Sequence, residues 1–139
     1  MKLVPHLTFD GNCKEAFEFY KDLFGGSLFM ITFGESPAAS HVPADWKDKI
    51  VHATLSLAET DIAGADVYGD EFKPAQGFYL LLEPKNKLEA EKLFSALSDG
   101  GDVKVSLQEE FWSIAYACLI DKFGTPWEIS CKEAPSDAE

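Results

Sequence analysis

The chain reads as one module written twice, and that constrains its fold more than any other feature. Glu15, Ala16, Phe19, Tyr20, Leu23 and Gly26 return about 74 positions later as Glu89, Ala90, Leu93, Phe94, Leu97 and Gly100. Each set describes a short amphipathic helix that runs into a glycine pair, Gly25-Gly26 or Gly100-Gly101. Glycine accepts the left-handed backbone at a helix end, so each pair predicts a stop. Strand-like runs precede and follow both helices, which gives the order βαβββ twice. The expectation is an α+β fold in which two βαβββ modules build a cupped, half-barrel mixed sheet with the helices on its outer face.

Periodicity places the elements. Leu3 to Phe9 predicts a strand that ends in the turn and cap residues Asp10-Gly11-Asn12. Cys13, Ala16, Phe17, Tyr20 and Phe24 recur at helical spacing and predict a helix over 13–24. Strands are expected at 27–33, 50–58 and 61–67, with a long polar loop over 34–49 that carries Pro37, Pro43 and Trp46. A loop of that length in a compact domain is often functional, and this one is expected to border a cavity and to move. In the second copy, strands are expected at 77–82, 103–107, 113–120 and 125–131, and a helix at 87–98 with Ala90, Leu93, Phe94 and Leu97 on its apolar stripe. Module one thus covers about 2–67, a connection 68–76 and module two 77–131, within one domain of ordinary size. The tail, 132–139, is acidic and polar and is expected to be disordered.

Bulk properties exclude several partners. The net charge of −12, from 24 acidic and 12 basic residues, repels phosphate backbones and anionic lipid, so neither nucleic acid nor membrane is an expected partner. No apolar run approaches the roughly 20 residues that cross a bilayer, and none follows the N-terminus as a signal-peptide core would. Cys13, Cys118 and Cys131 are odd in number and widely spaced. They read as packed thiols in a reducing compartment, with the cytoplasm as the expected location.

Strand parity picks out candidate site residues. Side chains alternate between faces along a strand. Leu7 and Phe9 are packing residues, so His6 and Thr8 point the other way. By the same alternation His52 and Glu128 lie opposite Val51, Ala53, Leu55 and Trp127, Ile129. Two imidazoles and a carboxylate can bind Zn, Fe, Mn or Ni, so His6, His52 and Glu128 are candidate metal ligands. The same three can equally hydrogen-bond one another and water with no metal present. His41 lies in the polar loop and is expected to be exposed. Trp46, Trp112 and Tyr116 are candidate aromatic contacts for a flat organic ligand. No nucleophile–base arrangement is evident.

The run Pro5-His6-Leu7-Thr8-Phe9-Asp10-Gly11-Asn12-Cys13-Lys14-Glu15-Ala16, then Phe19-Tyr20 and Phe24-Gly25-Gly26, resembles the opening of the PhnB-like bacterial proteins. Lys49-Ile50-Val51-His52-Ala53, Phe111-Trp112 and Asp121-Lys122-Phe123-Gly124-Thr125-Pro126-Trp127 resemble their later signatures. The likeness covers about residues 3 to 131. It departs after Phe111-Trp112, where Ser113-Ile114-Ala115-Tyr116 replace the family's small residues, and over Ile62 to Asp66. These proteins belong to the vicinal oxygen chelate superfamily, with glyoxalases, extradiol dioxygenases and bleomycin-resistance proteins. The resemblance implies the paired βαβββ architecture and a homodimer. It also implies a divalent-metal site with one ligand from the first and one from the last strand of each module. Glu128 matches the last position, His6 is the residue able to ligate near the first, the third falls near Gly64 to Asp66, and the fourth falls on or near Phe78, which cannot ligate. Two functions follow as expectations. One is a metal-free protein that binds a small organic ligand. The other is a metal-dependent isomerase, lyase or dioxygenase. Relatives are often labelled demethylubiquinone methyltransferase, but no strand–glycine-loop–helix unit for a nucleotide-type cofactor is visible, and methyl transfer is not expected.

Overall fold

The structure is a computed structural model and describes residues 1–132. It divides into two compact units, Met1–Pro74 and a second that begins at Ala75.

The first unit comprises β1 (His6–Phe9), α1 (Cys13–Phe24), β2 (Ser27–Thr32), β3 (Ile50–Ser56) and β4 (Asp61–Asp66). Its sheet runs in the order β1-β4-β3-β2, with β1 parallel to β4 and the other pairs antiparallel. α1 packs on one face. Cys13, Ala16, Phe17 and Tyr20 are buried there, as are Leu7, Phe9, Ala53, Leu55 and Ile62 of the strands. Phe17 stands edge-on to Phe9 and to Tyr20, at 5.9 Å in each case. Full burial of side chains of this size stabilises by roughly 1.5–3 kcal/mol each.

The cap of α1 comes from far along the chain. Asn12 precedes the helix but its side chain makes no cap hydrogen bond. Instead the buried Asp66 carboxylate accepts from the backbone N–H of Gly11 and Cys13 on Oδ1, each at 2.9 Å, and from Ile50 on Oδ2 at 2.9 Å. One carboxylate therefore ties the end of β4 to the start of α1 and of β3.

The second unit repeats the plan with β5 (Leu80–Leu82), α2 (Lys87–Ser98), β6 (Asp102–Glu110), β7 (Ser113–Ile120) and β8 (Pro126–Cys131). Its order, β5-β8-β7-β6, has the same parallel first pair. α2 has a local cap: Asn86 accepts from the Glu89 N–H at 2.8 Å, and Glu89 accepts from the Lys85 N–H at 2.8 Å. Ala90, Leu97, Ala115, Ala117, Leu119, Trp127, Ile129 and Cys131 are buried. The Trp127 indole N–H donates to the buried Asp121 at 2.8 Å. The architecture is α+β, two repeated modules with two four-stranded mixed sheets and no closed barrel.

The duplication extends to close contacts. A Cβ on Gly26 would collide with the Ser56 carbonyl, and one on Gly101 with the Ile120 carbonyl. Those carbonyls end β3 and β7, so Gly26 is the structural counterpart of Gly101 and not of Gly100. Asp99 is the extra residue that shifts the register after α2.

Three expectations are adjusted. β1 and β5 are shorter than expected, because ladder pairing begins only at His6 and Leu80. β6 is longer and runs to Glu110 through several irregularities. The stretch 34–49 is organised by short 3-10 turns. Thr32 and Glu35 form a reciprocal capping box, and the Phe33 and Gly34 N–H groups donate to Lys49 and Lys47 carbonyls at 2.9 and 2.8 Å. Residues 133–139 of the expected disordered tail lie outside the described residues.

Candidate functional site

Each sheet has one face under a helix and one face open. In the first unit His6, Ala63, Thr54 and Phe29 form a row across the open face, from the register of β1, β4, β3 and β2. Paired residues present their side chains on the same face. Thr8 and His52 alternate onto this face as well. His6, Thr8 and His52 are exposed. The His52 Nε2 is hydrogen-bonded to the Thr54 hydroxyl at 2.9 Å. His6 and the Thr54–His52 pair are separated by β4, two strand spacings or roughly 9.6 Å. Trp46 lies in the loop, edge-on to Phe33 at 5.9 Å and to Tyr68 at 5.1 Å. His41 is exposed, as expected.

In the second unit the open face is built from alternate residues of β7 and β8. Three rows cross it: Ile120 beside Pro126, Cys118 beside Glu128, and Tyr116 beside Ser130. β5 adds Leu81 on the far side of Glu128. The Tyr116 hydroxyl donates to Glu128 Oε2 at 2.5 Å. That hydrogen bond holds the Tyr116 phenol well above its ordinary range, with burial and the Glu128 charge adding to it. Trp112, at the tip between β6 and β7, stands edge-on to Tyr116 at 5.4 Å and to Phe111 at 4.6 Å.

An open, mainly apolar cavity of about 260 Å³ adjoins the Ile120–Pro126 row and is lined further by Gly77, Phe78 and Tyr79. Tyr79 bridges the cavity and the Glu128 row. The neighbouring Cys118 thiol raises the Tyr79 phenol above its usual value. Leu81 is 52% exposed, and Phe78 and Tyr79 are each nearly half exposed.

Alternation along β8 leads to Glu128, but Leu81 and Cys118 emerge only from the register, and Tyr79 only from the cavity lining. Cys118 is buried, as a packing residue should be, yet it lies on the open face beside Glu128 and not under α2. The ligand position assigned near Phe78 belongs to Leu81, because Phe78 precedes the hydrogen-bonded part of β5.

The two registers bear on the four-ligand set that the family resemblance implies. His6–Ala63–Thr54 in the first unit corresponds to Leu81–Glu128–Cys118 in the second. Each unit thus keeps one residue able to ligate and replaces the other with an aliphatic one. Asp66, the carboxylate nearest to the missing position in β4, is on the helix-packed face and already accepts three N–H groups. Among the described residues no group of three His, Cys, Asp or Glu side chains is placed to hold a metal ion. The residues present do not fit the superfamily's four-ligand site.

The fold defines a class, the vicinal oxygen chelate fold. A glyoxalase/bleomycin resistance/dioxygenase family enzyme from Burkholderia phytofirmans PsJN shares it at a TM-score of 0.60 and 16% identity, over 94% of this chain and 97% of that one. The PhnB protein of Bacillus cereus shares it at a TM-score of 0.72 and 24% identity, over 94% and 99%. Within that class the chain belongs to the PhnB-like family described as 3-demethylubiquinone-9 3-methyltransferase, which it matches over residues 1–130. It is 32% identical to Protein YjdN of Escherichia coli K12, over 98% of this chain and 99% of that protein. The crystal structure of PA1353 from Pseudomonas aeruginosa is similar at a TM-score of 0.87 and 39% identity, over 95% and 98%. Among the described residues no helix is long and apolar enough to cross a membrane.

Proposed function

We propose that this protein binds a small organic molecule on the open face of its second unit and does so without a resident divalent metal. The observation that carries this reading is the replacement of two ligand positions by Leu81 and Ala63, beside a cavity lined by Phe78, Tyr79, Ile120 and Pro126. Aliphatic and aromatic walls with a few fixed polar groups suit a compact organic ligand. Tyr116 and Glu128 supply the polar groups, and Trp112 extends the aromatic surface. In the first unit His6, Thr8 and His52 offer a second polar face, to which we assign no ligand.

Methyl transfer, the activity in the family description, is not part of this proposal. The strand–turn–helix junction at β1 and α1 is where a nucleotide-type cofactor would place its anionic group. There the Gly11 and Cys13 N–H groups already donate to Asp66.

The test is a fragment screen by heteronuclear NMR on the full chain with a strong chelator present. The expected result is a set of small aromatic ligands whose shifts cluster on β7, β8 and residues 77–81. Binding that appears only when a divalent metal is restored would overturn the metal-free reading in favour of a metal-dependent isomerase, lyase or dioxygenase. A screen with no ligand on this face would overturn the binding site itself.

A further inference from the structure

The open face of the second unit carries a carboxylate without a counter-charge. Among the described residues Glu128 has no basic side chain within salt-bridge distance. The chain contains twelve lysines and no arginine, so the bidentate fork that suits carboxylates and phosphates is absent from it altogether. Lys104, the lysine that interacts with Tyr79, is already paired with Asp102 at 2.9 Å. An anionic ligand would meet the Glu128 charge with no free cation in that group to offset it.

We propose that this face selects an organic cation of the arylalkylamine type, with its ammonium at Glu128 and its ring in the cavity beside Phe78 and Tyr79. The proposal rests on the ligand-binding reading above and names the ligand class. Tyr116 occupies Glu128 Oε2 and leaves Oε1 to accept an ammonium N–H. Hydrogen bonds between ionised partners are shorter and stronger than neutral ones. Tyr116 supplies an electron-rich ring beside the carboxylate, with the Trp112 ring 5.4 Å from it, and such rings attract a cation further. Pro126, on the cavity wall, is two residues from Glu128 along β8, roughly 6.8 Å in an extended strand. A two-carbon spacer between ammonium and ring matches that gap. The net charge of −12 draws cations toward the surface in general.

The experiment compares three probes of one shape: 2-phenylethylamine, 2-phenylethanol and 3-phenylpropionate, titrated into the full chain and followed by heteronuclear NMR. The amine should bind about 10-fold or more tightly than the alcohol, and the propionate more weakly than either. Shifts should centre on Tyr79, Tyr116 and Glu128. Glu128→Gln keeps an acceptor for Tyr116 and removes the charge. It should weaken the amine about 10-fold and leave the alcohol unchanged. Equal affinity for amine and alcohol, tighter binding of the propionate, or an amine affinity unmoved by Glu128→Gln would overturn the cation assignment and leave the ligand-binding reading standing. If Glu128→Gln alters the spectrum globally, the amine-to-alcohol ratio in the unaltered chain decides alone. Binding of none of the three probes would overturn the assignment, while the chelator-treated fragment screen separately decides the binding reading.

Discussion

The Tyr116 hydroxyl donates to Glu128 Oε2 at 2.5 Å, between side chains that project from adjacent antiparallel strands onto one open sheet face. The bond uses the neutral phenol as donor, so it disappears when Tyr116 ionises. Tyr116 should therefore resist ionisation well past the ordinary phenol value of 10.0. The sign follows from linkage: a raised folded-state value means the contribution is complete below the unfolded value and is lost as pH rises through the folded one. Phenolate absorbance should show late-titrating tyrosines, and Glu128→Gln should bring Tyr116 back toward the ordinary range. An unaltered titration curve in the variant would remove the hydrogen bond from the account.

Asp66 should be a stability residue. Replacing it with Asn puts an amide N–H₂ or a single oxygen where two oxygens now serve the Gly11, Cys13 and Ile50 N–H groups. At least one buried donor then loses its acceptor, at a cost of about 1–3 kcal/mol. Burial pushes the Asp66 carboxyl above its usual value, and the three N–H bonds and Lys49 pull it only partly back. With a raised folded value, its contribution is complete below 3.8 and declines as pH rises through the folded value. Denaturant titrations across that window should give pH slopes of stability that differ between the parent and Asp66→Asn in this direction.

Gly26→Ala and Gly101→Ala should both destabilise, each by about 1–3 kcal/mol, through overpacking against a fixed backbone carbonyl. Gly26 also has φ +88°, which adds strain for any residue with a Cβ. Gly25→Ala isolates the conformational term, because its φ is +82° with open space around it. Thermal unfolding of the three variants separates the two effects. Equal losses at Gly25 and Gly26 would show that contact contributes nothing.

We expect a homodimer. Phe29 and Leu81, on the open sheet faces, are 57% and 52% exposed, and Phe111, in the turn between β6 and β7, is 96% exposed; apolar surface of that kind is favourably covered. Light scattering should give twice the 15.3 kDa chain mass at micromolar concentration. A constant monomer mass would contradict this, and would leave the single-unit cavity untouched because its lining belongs to one chain.

Much of the fold was legible because its signals are local. α1 and α2 span the residues that their apolar stripes mark, 13–24 and 87–98. The alternation of β1, β3 and β8 turns His6, His52 and Glu128 onto open faces. The turn in 33–35 also had a local signal, the Thr32…Glu35 box, which straddles the boundary between the expected strand over 27–33 and the polar loop over 34–49. What stayed hidden depends on register between distant strands. Nothing in the sequence pairs Tyr116 with Glu128, or sets Leu81 and Cys118 on either side of it. Asp66 looked close to a ligand position, but parity places it on the helix side, where it caps a helix 53 residues earlier. Gly77 to Tyr79 has strand-like composition and forms the cavity wall instead, because pairing with β8 starts at Leu80.

The central claim is that the protein binds its ligand without a metal, since Leu81 and Ala63 stand where two ligands would be needed. Elemental analysis of protein purified without chelator or affinity tag tests it most directly. The account predicts far less than one Zn, Fe, Mn or Ni per chain, and no shift in thermal stability when any of them is added. One tightly held metal per chain, lost on Glu128→Gln, would contradict it.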